Sequence, residues 1–181
     1  MKRLLTAALL SLAAVAMLGA APARAFTDDQ AFVEMPLEKL VETAPTQHPA
    51  ALFVLASRLL ADERGQEAAG WMYAGQLRYR FMLIADDADP GSADATLFSA
   101  LMEQVGRPVN EYIGGNVDEW IAAIDWALAW DATHDNATTS KTEHAAELAK
   151  VRTGLEELRT MIDQQRADIA RQRSEAGLPN R

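Results

Sequence analysis

Residues 49–85 read PAALFVLASRLLADERGQEAAGWMYAGQLRYRFMLIA, and their pattern decides the fold class. Pro49 can open a helix, because the N–H it lacks is spare in a first turn. Leu52, Leu55, Ala56, Leu59 and Leu60 follow at three- and four-residue spacing, which draws one apolar stripe along that helix. Gly65 is expected to break it. A second helix is expected from Gln66 to Ala85. At 100° per residue, Trp71, Met72, Gly75, Tyr79 and Met82 share one of its faces, and Tyr73, Leu77, Phe81 and Ile84 another. A helix that is apolar on two sides belongs at the centre of a bundle. Gln76 and Arg80 lie one turn apart between the two faces, with Arg78 on the opposite margin. One reading makes this a polar stripe in a pocket, with Arg80 binding an anion. The other pairs both arginines with carboxylates and lets them reach water along their aliphatic stems.

The flanking sequence is also helical in pattern. Pro36 fits the start of a short helix ending near Ala44-Pro45. Asp86 to Ser92 is an acidic Pro-Gly loop, and Asp94 is the expected N-cap of a helix reaching Val105. Gly106-Arg107-Pro108 should end that helix, with a short one following to Ile113. Asn116, with Glu119 three residues on, forms a capping-box pattern for a segment running to about Thr133. Its apolar face holds Val117, Trp120, Ile121, Ile124 and Leu128, with Asp131 set into that face. A carboxylate there must be solvated at the helix end or paired. We expect it to pair with Arg78 or Arg80. Trp126 and Trp130 stand one turn apart on the other side. They are either an aromatic platform for a partner or core residues covered by the C-terminal helix.

Ser140-Lys141-Thr142-Glu143 is a second capping box. Beyond it Leu148, Val151, Leu155, Leu158, Ile162, Gln165 and Ile169 alternate three and four apart, a heptad seam over about three heptads. That seam either folds back on the body or pairs two chains into a homodimer through 143–169. Gln165 weakens a long self-coil, so fold-back of 143–162 is expected, with the basic end, 166–175, projecting or fraying. No stretch alternates like a strand. The expected fold is all-α, a single bundle of about five to six helices with an antiparallel pair and a long C-terminal helix. Its expected parts are a leader at 26–35, a body at 36–135, a linker at 136–141, the long helix at 142–175 and a disordered tail at 176–181.

Leu55-Ala56 with Leu59, then Gly65, Glu67-Ala68-Ala69, Trp71 and Ala74 resemble one helix-turn-helix unit of the tetratricopeptide or Sel1-like kind. The resemblance covers residues 49–85 and implies an antiparallel helix pair; no second copy follows at a solenoid's period. As a whole the chain resembles the small exported helical proteins of bacteria, some of which are immunity proteins to secreted toxins.

The N-terminus carries the signs of export. Lys2 and Arg3 precede an apolar run from Leu4 to Gly19, and Ala23-Arg24-Ala25 has the small-x-small pattern of a cleavage site. The run is shorter than the roughly 20 apolar residues of a membrane span. We therefore expect a signal peptide at 1–25, a mature chain beginning at Phe26, no stable membrane anchor after cleavage, and a periplasmic or secreted location. The chain has no cysteine, which excludes thiolate zinc sites, thiol nucleophiles and a lipidated cysteine. Burial alone must then stabilise the domain.

Residues 26–135 hold 19 Asp/Glu against 6 Lys/Arg, and residues 136–181 hold 7 against 8. An acidic body lacks the basic footprint that nucleic acid requires; it fits a basic protein partner or serves solubility alone, the commoner case. Catalytic patterns are sparse. His134 with Asp131 and Asp135 is a thin set for a metal. Asp86, Asp87, Asp89 and Asp94 lack calcium-loop spacing. No serine sits in a nucleophile elbow, and no cofactor is implied. Two functions stay open. One is an exported non-enzymatic binding or adaptor protein, of the immunity or regulatory kind, using Gln76, Arg78, Arg80, Trp126, Trp130 and Asp131. The other is a small periplasmic hydrolase or metal-dependent enzyme built on Arg80, Asp131 and His134.

Overall fold

The computed structural model describes residues 34–181. The expected signal peptide and most of the leader therefore lie outside the described residues. The chain is helical with no strand among those described. It runs through α1 (Leu37–Thr43), a 3-10 turn (Ala44–Thr46), α2 (Ala50–Ala61), α3 (Gly65–Ala85), α4 (Ala93–Leu101), a π-helical turn (Met102–Gly106), α5 (Arg107–Ile113), α6 (Val117–Thr133), α7 (Ala145–Gln164) and α8 (Arg166–Glu175). No described helix is long and apolar enough to cross a membrane.

Helix α3 is central, as its two apolar faces require. It packs against α2, α5, α6 and α7, and Trp71, Met72, Tyr73, Leu77, Tyr79 and Phe81 are all buried. The expected antiparallel pair is α2 with α3. The break between them is not made by Gly65. Glu63 takes the left-handed conformation, with φ 61°, and the Arg64 N–H returns to the Leu59 carbonyl at 2.9 Å. That closure usually recruits glycine. Gly65 instead begins α3, where it faces the Tyr112 ring; a Cβ there would lie 2.2 Å from a ring carbon.

Three local expectations are corrected. The N-cap of α4 is Ser92, whose hydroxyl accepts from the Ala95 N–H, and not Asp94. Gly106-Arg107-Pro108 does not end the helical path. The chain widens by one residue over Met102–Gly106, with the Arg107 N–H reaching the Met102 carbonyl, and continues into α5. A proline lacks the N–H of a regular turn and crowds the carbonyl behind it; a wider turn relieves both, and such insertions are local. The long C-terminal helix bends at Gln165, dividing α7 from α8.

The heptad seam folds back. Val151, Leu155 and Ile162 are buried in the body's core, with Leu148, Leu158 and Ile169 packed beside them. The basic end does not project as expected: Arg166 pairs with Asp118 at 2.8 Å, and Ile169 reaches the core. The tail expected to be disordered also turns back. Arg181 lies over the Tyr112 ring at 3.9 Å and pairs with Glu119 at 2.8 Å.

Charge pairing matches the register of this fold-back. Arg152, Arg159 and Arg166 recur every seventh residue and meet Asp131, Asp125 and Asp118 in reverse order along α6. The acidic body and the more basic C-terminal segment are therefore complementary surfaces of one chain. Arginines at heptad positions flanking an apolar seam were visible in the sequence. The matching aspartates were not linked to them, because that pairing exists only once the helices run antiparallel.

Candidate functional site

The six candidate residues fall into two places. Arg78, Asp131, Trp126 and Trp130 form one cluster at the α3–α6 contact. Gln76 and Arg80 lie in a separate groove towards α7.

Arg78 and Asp131 form a buried ion pair. Arg78 Nε donates to Asp131 Oδ1 at 3.1 Å, with side chains 2% and 1% exposed. Nη1 donates to the Pro45 carbonyl and Nη2 to the carbonyls of His134 and Asp135. This arginine therefore ties the 3-10 turn and the end of α6 to the central helix. Burial lowers its pKa from the ordinary arginine value, and the Asp131 carboxylate beside it opposes that shift. Asp131 Oδ2 also lies 3.3 Å from Arg152 Nη1 and 3.3 Å from Lys141 Nζ. The expectation of an Asp131 pairing across the core is met, by Arg78 and not Arg80. The outward escape open to Arg78 in sequence is not taken.

The guanidinium of Arg78 also lies 4.3 Å from the Trp130 ring centroid. Trp126, Trp130 and His134 stack along one side of α6 at successive turns, with centroids 6.0 and 4.8 Å apart. Trp71 of α3 meets the two tryptophans edge-on at 4.9 and 5.1 Å. The sequence reading that the C-terminal helix covers Trp126 and Trp130 is corrected: α7 packs beside Asp125 and Leu128, and Trp71 covers the tryptophans instead. Trp130 is 9% exposed and Trp126 is 40% exposed. Trp71 was the missing member of this cluster. Its place on one α3 face was legible, but its partner was not.

Trp126 and Trp71 wall a cleft of about 350 Å³, completed by Gln66, Glu67, Gly70, Ala122 and Ala123. Gly70 makes it possible: a Cβ there would stand 2.8 Å from the Trp126 ring.

Arg80 is exposed, 5.6 Å from the Phe98 ring centroid. No hydrogen bond or ion pair joins it to Asp131 or His134, so the three residues of the hydrolase reading are not gathered into one site. The Asp131 carboxylate is taken up by three cations, and His134 Nδ1 lies 2.7 Å from the Trp130 carbonyl oxygen. No group of three or more His, Asp or Glu that could hold a metal occurs among the described residues. Gln76 lines the same groove as Arg80, and its Oε1 is buried without a hydrogen-bond partner.

Comparison with protein-family models finds no match, and comparisons with curated proteins and with solved structures find none either.

Proposed function

We propose that the chain is an exported, non-enzymatic binding protein, of the immunity or regulatory kind, that engages a basic segment of a protein partner at the Trp71–Trp126 cleft. The carrying observation is Trp126. It is 40% exposed beside a cleft, although every other tryptophan of the cluster is withdrawn. A large aromatic at a concave rim is the type of residue that dominates binding energy, and its face attracts a lysine or arginine side chain. A net charge of −9 favours encounter with a cationic partner. Of the three residues of the catalytic reading, Asp131 is held by three cations and Arg80 lies in a different groove, which supports binding over chemistry. Export rests on the N-terminal pattern, and the intact mass of periplasmic material should begin at Phe26.

The test uses tryptophan emission of the mature chain, titrated with a lysine–leucine peptide and with its glutamate–leucine counterpart. Saturable change with the basic peptide, weakened by Trp126→Ala without loss of helical circular dichroism, supports the cleft. Equal response to both peptides, or a Trp126→Ala protein that binds as before, refutes it.

A further inference from the structure

A second concave surface shares no residue with the Trp71–Trp126 cleft. It lies between α3, α4 and α7, has a volume of about 540 Å³, and carries Gln76, Arg80 and Lys150 among otherwise apolar walls. That volume is in the range of small-molecule sites. The walls include Leu77, Leu83, Phe98, Leu155 and Leu158, of which Leu83, Phe98 and Leu158 are only partly buried. No acidic residue lines it.

Most described arginines have a carboxylate partner; Arg173 instead donates to the Pro179 carbonyl, and the two cations of this groove have neither. The molecule has an excess of carboxylates, 26 against 17 basic residues. Arg64, Arg78, Arg107, Arg152, Arg159, Arg166, Arg171 and Arg181 each pair with one. Neither Arg80 nor Lys150 pairs with any described carboxylate. An apolar trough with two uncompensated positive charges is complementary to an apolar chain carrying one negative head. A bare inorganic anion would leave the apolar walls in water, and a neutral or cationic amphiphile would leave the charges unanswered. Gly154 opens the α7 wall: a Cβ placed there meets nothing within 4 Å.

We propose that this groove binds an acyl-chain carboxylate, with its tail along the Leu77–Phe98–Leu155 walls and its head between Arg80 and Lys150. The inference does not depend on the partner-binding reading, since the surfaces are distinct and the probes differ.

The experiment is calorimetric titration of the mature chain with dodecanoate below its micelle concentration. Dodecyltrimethylammonium, acetate and an acidic amphipathic peptide serve as comparators. Saturable one-to-one binding of dodecanoate is expected, with the comparators weaker by about tenfold or more. Arg80→Gln and Lys150→Gln should each weaken it by about tenfold, the size of one charge-assisted hydrogen bond. Gly154→Phe should block it by filling the trough, while helical content and melting temperature are retained. The proposal is overturned if dodecanoate fails to bind. It is also overturned if the trimethylammonium compound or the acidic peptide binds at least as well, or if binding ignores both the charge substitutions and Gly154→Phe.

Discussion

Replacing Asp131 by alanine tests the centre of this fold. Three cations approach the carboxylate, but they will not respond alike. The side chains of Lys141 and Arg152 are 23% and 25% exposed and can turn to water when their partner is removed. Arg78, 2% exposed, cannot. The cost is therefore that of one stranded buried cation, about 3–5 kcal/mol, and not the sum of three pairs. The carbonyls of Pro45, His134 and Asp135 still accept from Arg78, which places the loss towards the lower end of that range. For a domain of this size it corresponds to a fall in melting temperature of about 6–20 °C. The internal comparator is Asp125→Ala. Its pair with Arg159 has side chains 38% and 49% exposed, so about 0.2–1 kcal/mol and at most about 4 °C are expected. Added salt should shrink the Asp125 effect and leave most of the Asp131 effect, because buried pairs are poorly screened. An Asp131→Leu, Arg78→Met double variant should recover only part of the loss, since the three carbonyls then lose their donor. An Asp131→Ala protein that melts within about 2 °C of the parent, well short of the fall computed above, would show that the carboxylate is solvated and the argument wrong.

Two other outcomes follow from separate parts of the structure. Burial holds the His48 pKa below 6.5, against the opposing pull of the Asp94 carboxylate. Just below pH 6.5 the native state then binds fewer protons than the unfolded chain, so stability rises with pH through that window and is complete above it. Denaturation midpoints across the window should show this slope in the parent and a flatter one in His48→Gln; equal slopes would remove His48 from the account. Gly65→Ala should destabilise the protein by about 1–3 kcal/mol, because the Tyr112 ring must move from under Arg181. Gly154→Ala, with open space around its Cβ, should stabilise by up to about 1 kcal/mol through helix propensity. Thermal melts giving the same sign for both would contradict the packing described.

Whatever depended on spacing along one segment was legible in the residues themselves. The central helix announced itself through two apolar faces within 65–85, and the seam of α7 through its heptads. Asn116 was readable as a cap because its side chain bonds N–H groups two and three residues away. These are local properties of a helical repeat. Where two local solutions were close in energy, the sequence could not choose. Arg78 and Arg80 are alike in type and two residues apart, yet one is buried and the other faces a groove. The choice follows from Asp131 and three carbonyl groups that lie 33 to 57 residues away along the chain. Pro108 looked like an end because a regular turn cannot hold it, whereas the chain accommodates it in a wider turn and continues into α5. The cover over Trp126 and Trp130 came from Trp71 and not from α7, since α7 lies on the Asp118–Asp125–Asp131 side of α6, its apolar seam in the core and its arginines on those aspartates. Helix identity rests on neighbours three and four residues apart, whereas burial, ion-pair partners and concave surfaces depend on which faces meet after the chain has turned back on itself.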